Sequence, residues 1–423
     1  MDKFLKISIL MRFTTILFDM IIQGRIFDKQ LILNALDSIS VLSKWRRNFI
    51  IEVFMLFLSI KGRINFSQLE RYGKFCEQRY RQQFEIAFPF LDFNKELALS
   101  NGSGNFVIAF DPSYIKKSGK KTPGLDKYWS GCLSKAEWGL EIGGIAAIDI
   151  DNNTAFHLEA VQTLNSEDQT LTEWYADIIS QRKDSLKAIS KYIVADAWFS
   201  KKNFTDEIIK TDMHLISRLR DDADLLYLSY CNPTGKKGRP KKFNGKILIT
   251  NIDKTYFQLI SETSESTIYS AIVYSKSLKR NIKLLHVKYT KGRQKEKYKL
   301  YFSTDLNIKA EDILTCYKSR FQIEFLYRDG KQHTGLTDCQ ARSISKLNFH
   351  FNASLSSINI AKINNWLSIP IEKRKAFSMS DIKTVNHNTL LLQRFFNVFA
   401  INPNTAKNNK HFKELLLYGT IAA

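Results

Sequence analysis

The stretch Tyr317–Lys331 reads YKSRFQIEFLYRDGK and carries Tyr317, Arg320, Glu324 and Lys331 at intervals of three, four and seven. Each residue of an α-helix advances the side chain by roughly 100°, so the four fall within about 60° of one another on one stripe. The phenol, guanidinium and ammonium are phosphate-binding groups, and the carboxylate among them is a metal-binding charge. Two further carboxylates, Asp111 and Asp196, each close a short apolar run, Phe106–Phe110 and Tyr192–Ala195, that reads as a buried strand. Carboxylates of this kind suit Mg2+, a hard cation that takes oxygen ligands and keeps several waters, with Mn2+ able to substitute. Cutting a phosphodiester needs an in-line nucleophile and neutralised charge on the attacking and leaving oxygens, work that two cations about 4 Å apart can share. Asp111, Asp196 and Glu324 are therefore the candidate catalytic and metal-binding residues. Plainer alternatives stand beside this: surface ion pairs for the stripe, and a turn or cap role for each aspartate. Asp126, Asp149 and Asp151 compete with Asp111, but none closes a comparable apolar run in the first strand.

Positioning these groups takes a sheet and a helix laid across it. Residues 1 to about 100 read as helical, with periodic apolar residues over Leu31–Leu42 and Phe49–Ile60. Ser67–Glu70 has the form of a capping box opening a short helix that Gly73 ends, and a helix over Glu77–Phe88 follows, rich in Arg and Gln. That arrangement is compatible with a helix-turn-helix module and equally with an ordinary helical bundle. After the turn Asn101–Gly104, strands are expected at Phe106–Phe110, Trp138–Asp151, Thr154–Thr163, Tyr192–Ala195 and His214–Ser217. Helices are expected at Leu171–Lys187 and Lys202–Thr211. The order predicts an α/β fold, a mixed sheet flanked by helices. A β-rich insertion spans about 220–300, with strands expected at Lys246–Asn251, Tyr256–Ser261, Thr267–Tyr274 and Lys283–Tyr289. The helix carrying Glu324 is expected to bury Leu314, Phe321 and Phe325 against the sheet. Helices at Leu347–Leu367 and Met379–Phe399, with Pro370 in the break, close the chain.

The spacing Tyr, two residues, Arg, three residues, Glu, six residues, Lys resembles the YREK signature of bacterial insertion-sequence transposases of the DDE type. The string His333–Arg342 (HTGLTDCQAR) is also similar to the family's sequence just after its Glu helix. The resemblance covers about residues 105–345. It implies an RNase H-like catalytic domain with a β-rich insertion, preceded by a helical DNA-binding region over 1–100. A C-terminal helical region over 346–423 follows, with dimerisation as one possible use. It implies that Asp111, Asp196 and Glu324 bind the metal ions, while Tyr317, Arg320 and Lys331 hold a phosphate of the element's terminal repeat. Lys116, Lys117 and Arg239 are further candidate DNA contacts, the last in the basic loop Gly235–Lys242, for which a plain solvated loop is the alternative. The insertion contains no Trp, so a base held on an indole there is excluded; its tyrosines and Phe257 are possible platforms or strand core. The activity implied is cleavage at the ends of an insertion sequence and joining of the freed 3′ ends to a target, by a homodimer on double-stranded DNA. The alternatives are an RNase H-like nuclease or resolvase without strand transfer, and a catalytically inactive DNA-binding protein.

Bulk composition agrees with a nucleic-acid partner. The 423 residues include 63 Lys and Arg against 42 Asp and Glu, a net charge of +21 that favours a polyanion. The apolar stretch Phe4–Ile22 is broken by Lys6, Arg12 and Asp19, which argues against a membrane span or signal peptide. Five cysteines without a C-x-x-C pair argue against a zinc ribbon or disulfide framework and fit a reducing cytoplasm, with the protein at the nucleoid.

Overall fold

A computed structural model gives the structure of the chain and describes residues 29–39, 42–131, 133–164, 168–229, 241–289, 297–401 and 406–421. Arg239, with most of the basic loop around it, and the stretch Phe4–Ile22 lie outside the described residues. Among the described residues the N-terminal region forms five helices: α1 (residues 29–37), α2 (Lys44–Ser59), α3 (Phe66–Tyr72), α4 (Glu77–Gln83) and α5 (Phe90–Asn101). Ser67 does not open α3. Asn65 is its N-cap, the side-chain oxygen accepting from Gln68 N at 3.0 Å, because Asn caps as well as Ser and this start buries Phe66. The expected helix Glu77–Phe88 stops at Gln83 and restarts at Phe90; Pro89 disfavours helical backbone just before it. Gln83 faces inward and accepts from the buried Arg46 guanidinium at 2.7 Å, so it ties α4 to α2 and leaves Gln78, Arg79 and Gln82 on the surface.

The central elements are β1 (Phe106–Lys116), β2 (Asp126–Ser130), β3 (Lys135–Asp149), β4 (Thr154–Gln162), α6 (Leu171–Ser180), α7 (Lys183–Lys187), β5 (Tyr192–Ala195), α8 (Lys202–Lys210) and β6 (His214–Leu219). Three features depart from expectation, the first being that the helix expected over Leu171–Lys187 breaks into α6 and α7 at Gln181 and Arg182. β1 does not end at Phe110 but pairs with β3 as far as Lys116↔Gly139, and β2, unforeseen, extends the hairpin as an edge strand. The strand order β4-β3-β1-β5-β6, antiparallel at β1–β3 and parallel at β1–β5–β6, makes the mixed sheet of an RNase H-like fold. Side chains of β1 alternate between its faces. Phe110 packs on Tyr175 of α6 and on Phe199 and Phe204, at ring separations of 5.1, 5.4 and 6.4 Å. Asp111 therefore points to the other face.

Between β6 and the late helices lie β7 (Leu225–Leu228), β8 (Phe243–Lys246), β9 (Gln258–Glu262), β10 (Ser266–Ser275), β11 (Arg280–Tyr289) and β12 (Lys297–Ser303). They continue the same sheet: β12 pairs with β6 and passes the order on to β11 and β10, giving twelve strands among the described residues. Lys246–Asn251, expected as a strand, is mostly turn. The chain then forms α9 (Ala310–Ser319), α10 (Gln322–Gln332), α11 (Ile344–Lys362), α12 (Met379–Phe399) and α13 (Ala406–Leu417). α11 extends through one π-turn over Ile363–Leu367 and is buried on nearly every side, against β4, α2, α5 and α10. Asn352 and Asn359 on α11 meet the β4 backbone, with Asn352 donating to Ala160 O and Asn359 to His157 O, each at 2.8 Å. No helix among the described residues is long and apolar enough to cross a membrane.

Candidate active site

Register brings the two aspartates together. The last parallel pair between β1 and β5 is Phe110↔Ala195, so Asp111 and Asp196 are the next residue on each of two adjacent strands. Beyond this point β1 continues alone on that side, because β5 ends and Asp196 becomes the N-cap of a 3-10 turn, accepting from Ala197 N at 2.7 Å. The seryl hydroxyl of Ser217 on β6 donates to the Asp196 carbonyl at 3.0 Å and fixes the turn.

The third carboxylate arrives on a broken helix. Tyr317–Lys331 is not one continuous α-helix: α9 ends at Ser319 and α10 begins at Gln322. Phe321, Ile323 and Glu324 donate to Lys318, Arg320 and Phe321, each three residues back, so the junction is tightened into 3-10 form. The buried stripe is accordingly Ile313, Cys316, Ile323, Leu326 and Tyr327. Phe321, expected in the core, is 50% exposed and stacks edge-on with Phe325.

Of the four signature side chains, Arg320 and Tyr317 bond the aspartates, while Glu324 meets Arg320 and Lys331 meets Ser113. Arg320 Nη1 donates to Asp111 Oδ1 at 2.9 Å and Nη2 to Glu324 Oε1 at 3.1 Å, so one guanidinium bridges two carboxylates. Tyr317 Oη donates to Asp196 Oδ1 at 3.4 Å and its ring packs on Tyr301. Lys331 Nζ donates to Ser113 Oγ at 3.0 Å, and Ser113 shares the strand face of Asp111 two residues on. Burial pushes the Asp111 carboxyl up to about 7; Arg320 draws it back, while Glu324, Asp196 and Glu141 push it further up. Burial by itself lowers the Arg320 guanidinium, yet Asp111, Tyr317, Glu324 and Asp196 together hold it above its ordinary value.

Sequence reading missed Tyr327 and Gly144. Gly144 is the β3 partner of Asp111, and a Cβ there would lie 2.0 Å from Tyr327 Oη. The Tyr327 hydroxyl occupies that space and donates to the Asp111 carbonyl, which sets the height of α10 on the sheet. A Gly-Gly pair inside an otherwise apolar strand was the available signal, since such a glycine marks close approach. Trp198, two residues past Asp196 and 43% exposed, was also missed; the Lys201 ammonium sits 3.9 Å from its ring centroid.

Residues 150–360 match the family model described as Transposase DDE domain. This chain belongs to the DDE transposases. No curated protein matches it. The matched span contains Asp196, Glu324 and the whole signature stretch, and begins after Asp111. Membership implies a DNA substrate and a divalent metal. Among the described residues no group of three His, Cys, Asp or Glu side chains is placed to hold an ion. The chemistry of the three carboxylates, as distinct from their placement, nevertheless suits one. Arg320 bonds Asp111 and Glu324 and lies within electrostatic reach of Asp196, so a cation already sits among the three carboxylates. Oxygen-only ligands are what a hard divalent cation takes.

The other candidates are placed as follows. Asp149 is fully buried and caps the β3–β4 turn, accepting from Ser103 and Asn152; Asp151 accepts from Asn105; Asp126 lies on the edge strand β2. Lys116 is exposed at the end of β1. Lys117, expected on DNA, is half-buried, and its ammonium donates to the carbonyls of Cys339 and Ala341 at 2.6 and 2.8 Å. It holds the transposase's HTGLTDCQAR segment against β1, and burial lowers its pKa.

Proposed function

We propose that this transposase acts for an insertion sequence, binding its terminal repeats, hydrolysing the phosphodiester at their ends and joining the 3′ ends to target DNA. The single observation that supports this most is the Arg320 guanidinium bridging Asp111 and Glu324, beside Asp196 on the neighbouring strand. Asp111, Asp196 and Glu324 are the residues to hold Mg2+, with Mn2+ able to replace it. When bound, the metal supplies charge neutralisation and an activated water at the scissile phosphate. Arg320, relieved of its two carboxylates, turns its fork to the phosphate oxygens, the geometry for which a guanidinium is suited. Tyr317 donates a hydrogen bond and Lys331 a point charge to the same backbone. Joining two ends to one target calls for a homodimer on DNA.

The test uses the full chain on supercoiled plasmid carrying the element's ends. Wild type is expected to nick with Mg2+ and to transfer the 3′ ends. Glu324→Gln keeps the side-chain shape, and is expected to lose nicking while retaining end binding. Nicking by Glu324→Gln at the wild-type rate would overturn the site; nicking without transfer by wild type would leave a nuclease of the same fold.

A further inference from the structure

Outside the carboxylate cluster, the β2–β3 hairpin carries exposed aromatic side chains beside a basic cavity. β2 is the edge strand, and its register puts Lys127 opposite Trp138 and Trp129 opposite Ala136. Lys127, Trp129 and Trp138 therefore share one face, since paired and alternate residues point the same way. Trp129 is 63% exposed and Trp138 46%. Two indoles this exposed on an edge hairpin mark a binding surface, because aromatic area left in water forgoes the burial it is used for.

The root of the hairpin is strongly basic. A cavity of about 680 Å³ there is lined by Arg63, Lys116, Lys117, Lys120, Lys121 and Arg342, with Asp338 the one acidic residue of its lining. Asp338 is occupied, accepting from Ile64 N at 2.8 Å. Lys117 is bound to carbonyls, and the other five cations form no ion pair among the described residues. Trp138 is tied to the same loop, its indole N–H donating to Gly119 O at 3.3 Å. A second cavity, sharing Arg63 and Asp338 with the first, reaches Lys331 of the catalytic face. A line of positive charge thus runs from the active site to the foot of the indoles.

We propose that the hairpin is a second DNA contact, which holds the backbone of an unpaired strand in the basic cavity and stacks its bases on Trp138 and Trp129. The proposal rests on the DNA-cleaving reading above. A second copy of this chain is the poorer occupant, since both faces would bring the same uncompensated lysines together; a polyanion is attracted by them. Unpaired bases are specified because an indole face needs an unstacked base, whereas phosphates alone need only the cations. Counting along β1 from Asp111 to Lys116, with Trp138 the next level on β3, places the platform about 20 Å from the catalytic aspartate. The strand held there is DNA several nucleotides from the cut.

The experiment measures binding of the full chain to a blunt duplex and to the same duplex with a single-stranded oligothymidine tail. Wild type is expected to prefer the tailed DNA, with its tryptophan fluorescence quenched. Trp129→Ala/Trp138→Ala is expected to lose about tenfold on tailed DNA and little on blunt DNA, and Trp129→Phe/Trp138→Phe to regain most of it. Lys120→Gln/Lys121→Gln is expected to weaken tailed DNA more than blunt DNA and to flatten the salt dependence on the tailed substrate. Equal loss on both substrates for the alanine pair, or no preference in wild type, overturns the stacking platform. A change of oligomeric state without DNA, with tailed-DNA binding intact, assigns the indoles to a protein interface and overturns it too. Plasmid nicking with Mg2+ is followed in parallel: nicking by wild type with no tail preference sinks this inference and leaves the catalytic reading standing. Nicking by Glu324→Gln sinks the catalytic reading instead.

Discussion

At the residue scale the site is held together by a charge conflict. Asp111 is mostly enclosed, with its side chain 18% exposed, and carries a carboxyl raised from 3.8 to about 7 by burial and by neighbouring carboxylates. For a carboxyl raised on folding, the folded state holds its proton longer than the unfolded chain. Stability without metal therefore falls as pH climbs from about 4 to about 7 and is flat above. Asp111→Asn removes the conflict, and metal-free protein at pH 8 is expected to gain about 2 kcal/mol in denaturant unfolding while losing all nicking. A variant less stable than wild type at that pH would show that the Arg320 pair outweighs burial. Arg320→Ala leaves two carboxylates facing each other without their guanidinium. It is expected to weaken end binding by roughly 1.5–3 kcal/mol, the worth of a charge-assisted contact, and cleavage with it; wild-type binding and cleavage would remove Arg320 from the phosphate role.

At the scale of elements, the site depends on where α10 sits on the sheet. Tyr327 passes its hydroxyl into the gap left by Gly144 and bonds the carbonyl of Asp111. Gly144→Ala places a methyl 2.0 Å from that hydroxyl, so α10 must lift. The expected cost is about 1–3 kcal/mol, as for other overpacked cores, with nicking reduced far more than that loss of stability explains. Tyr327→Phe in the same background makes room for the methyl, and a thermal melt and nicking assay on the pair should show partial recovery. α12 is tied to α2 by a different device: buried Lys383 donates to Phe57 O at 2.7 Å, and His387 meets Ser59 O at 3.0 Å. Burial lowers the Lys383 ammonium from 10.5 to about 7. The unfolded chain then binds the extra proton, so stability rises with pH between about 7 and about 10. Lys383→Met is expected to flatten that rise in urea midpoints; an unchanged slope would place the charge elsewhere.

For the whole molecule, a net charge of +21 makes DNA affinity a property of ionic strength. If six or more phosphates are neutralised, log affinity should fall against log salt with a slope of about −5 or steeper. A nearly flat plot would show that phosphate contacts do not dominate. The continuous sheet matters here as well. Because β12 pairs with β6, the strands after β6 are extensions of the catalytic sheet, and α9 packs on β6, β12 and β11 together. A mutation in the insertion that frays β12 is expected to disturb Tyr317, whose ring packs on Tyr301 of that strand.

Residue types and local periodicities could be read directly along the chain. Apolar runs closed by Asp111 and Asp196, and a stripe of Tyr317, Arg320, Glu324 and Lys331, were legible because chemistry and short-range spacing are written along the chain. Element ends were less so: β1 overran its apolar run because its antiparallel partner β3 continues to Gly139, and the signature helix broke at Arg320 without a Gly or Pro to announce it. Only the tertiary structure decided that Asp111 and Asp196 stand side by side, since register is a contact between strands some 80 residues apart. It also decided that Lys117 is a tether and that Tyr327 fills the place of a missing Cβ. The indoles absent from the insertion stand instead on an edge hairpin. Each of these depends on what lies opposite a residue in space, and no local pattern carries that information.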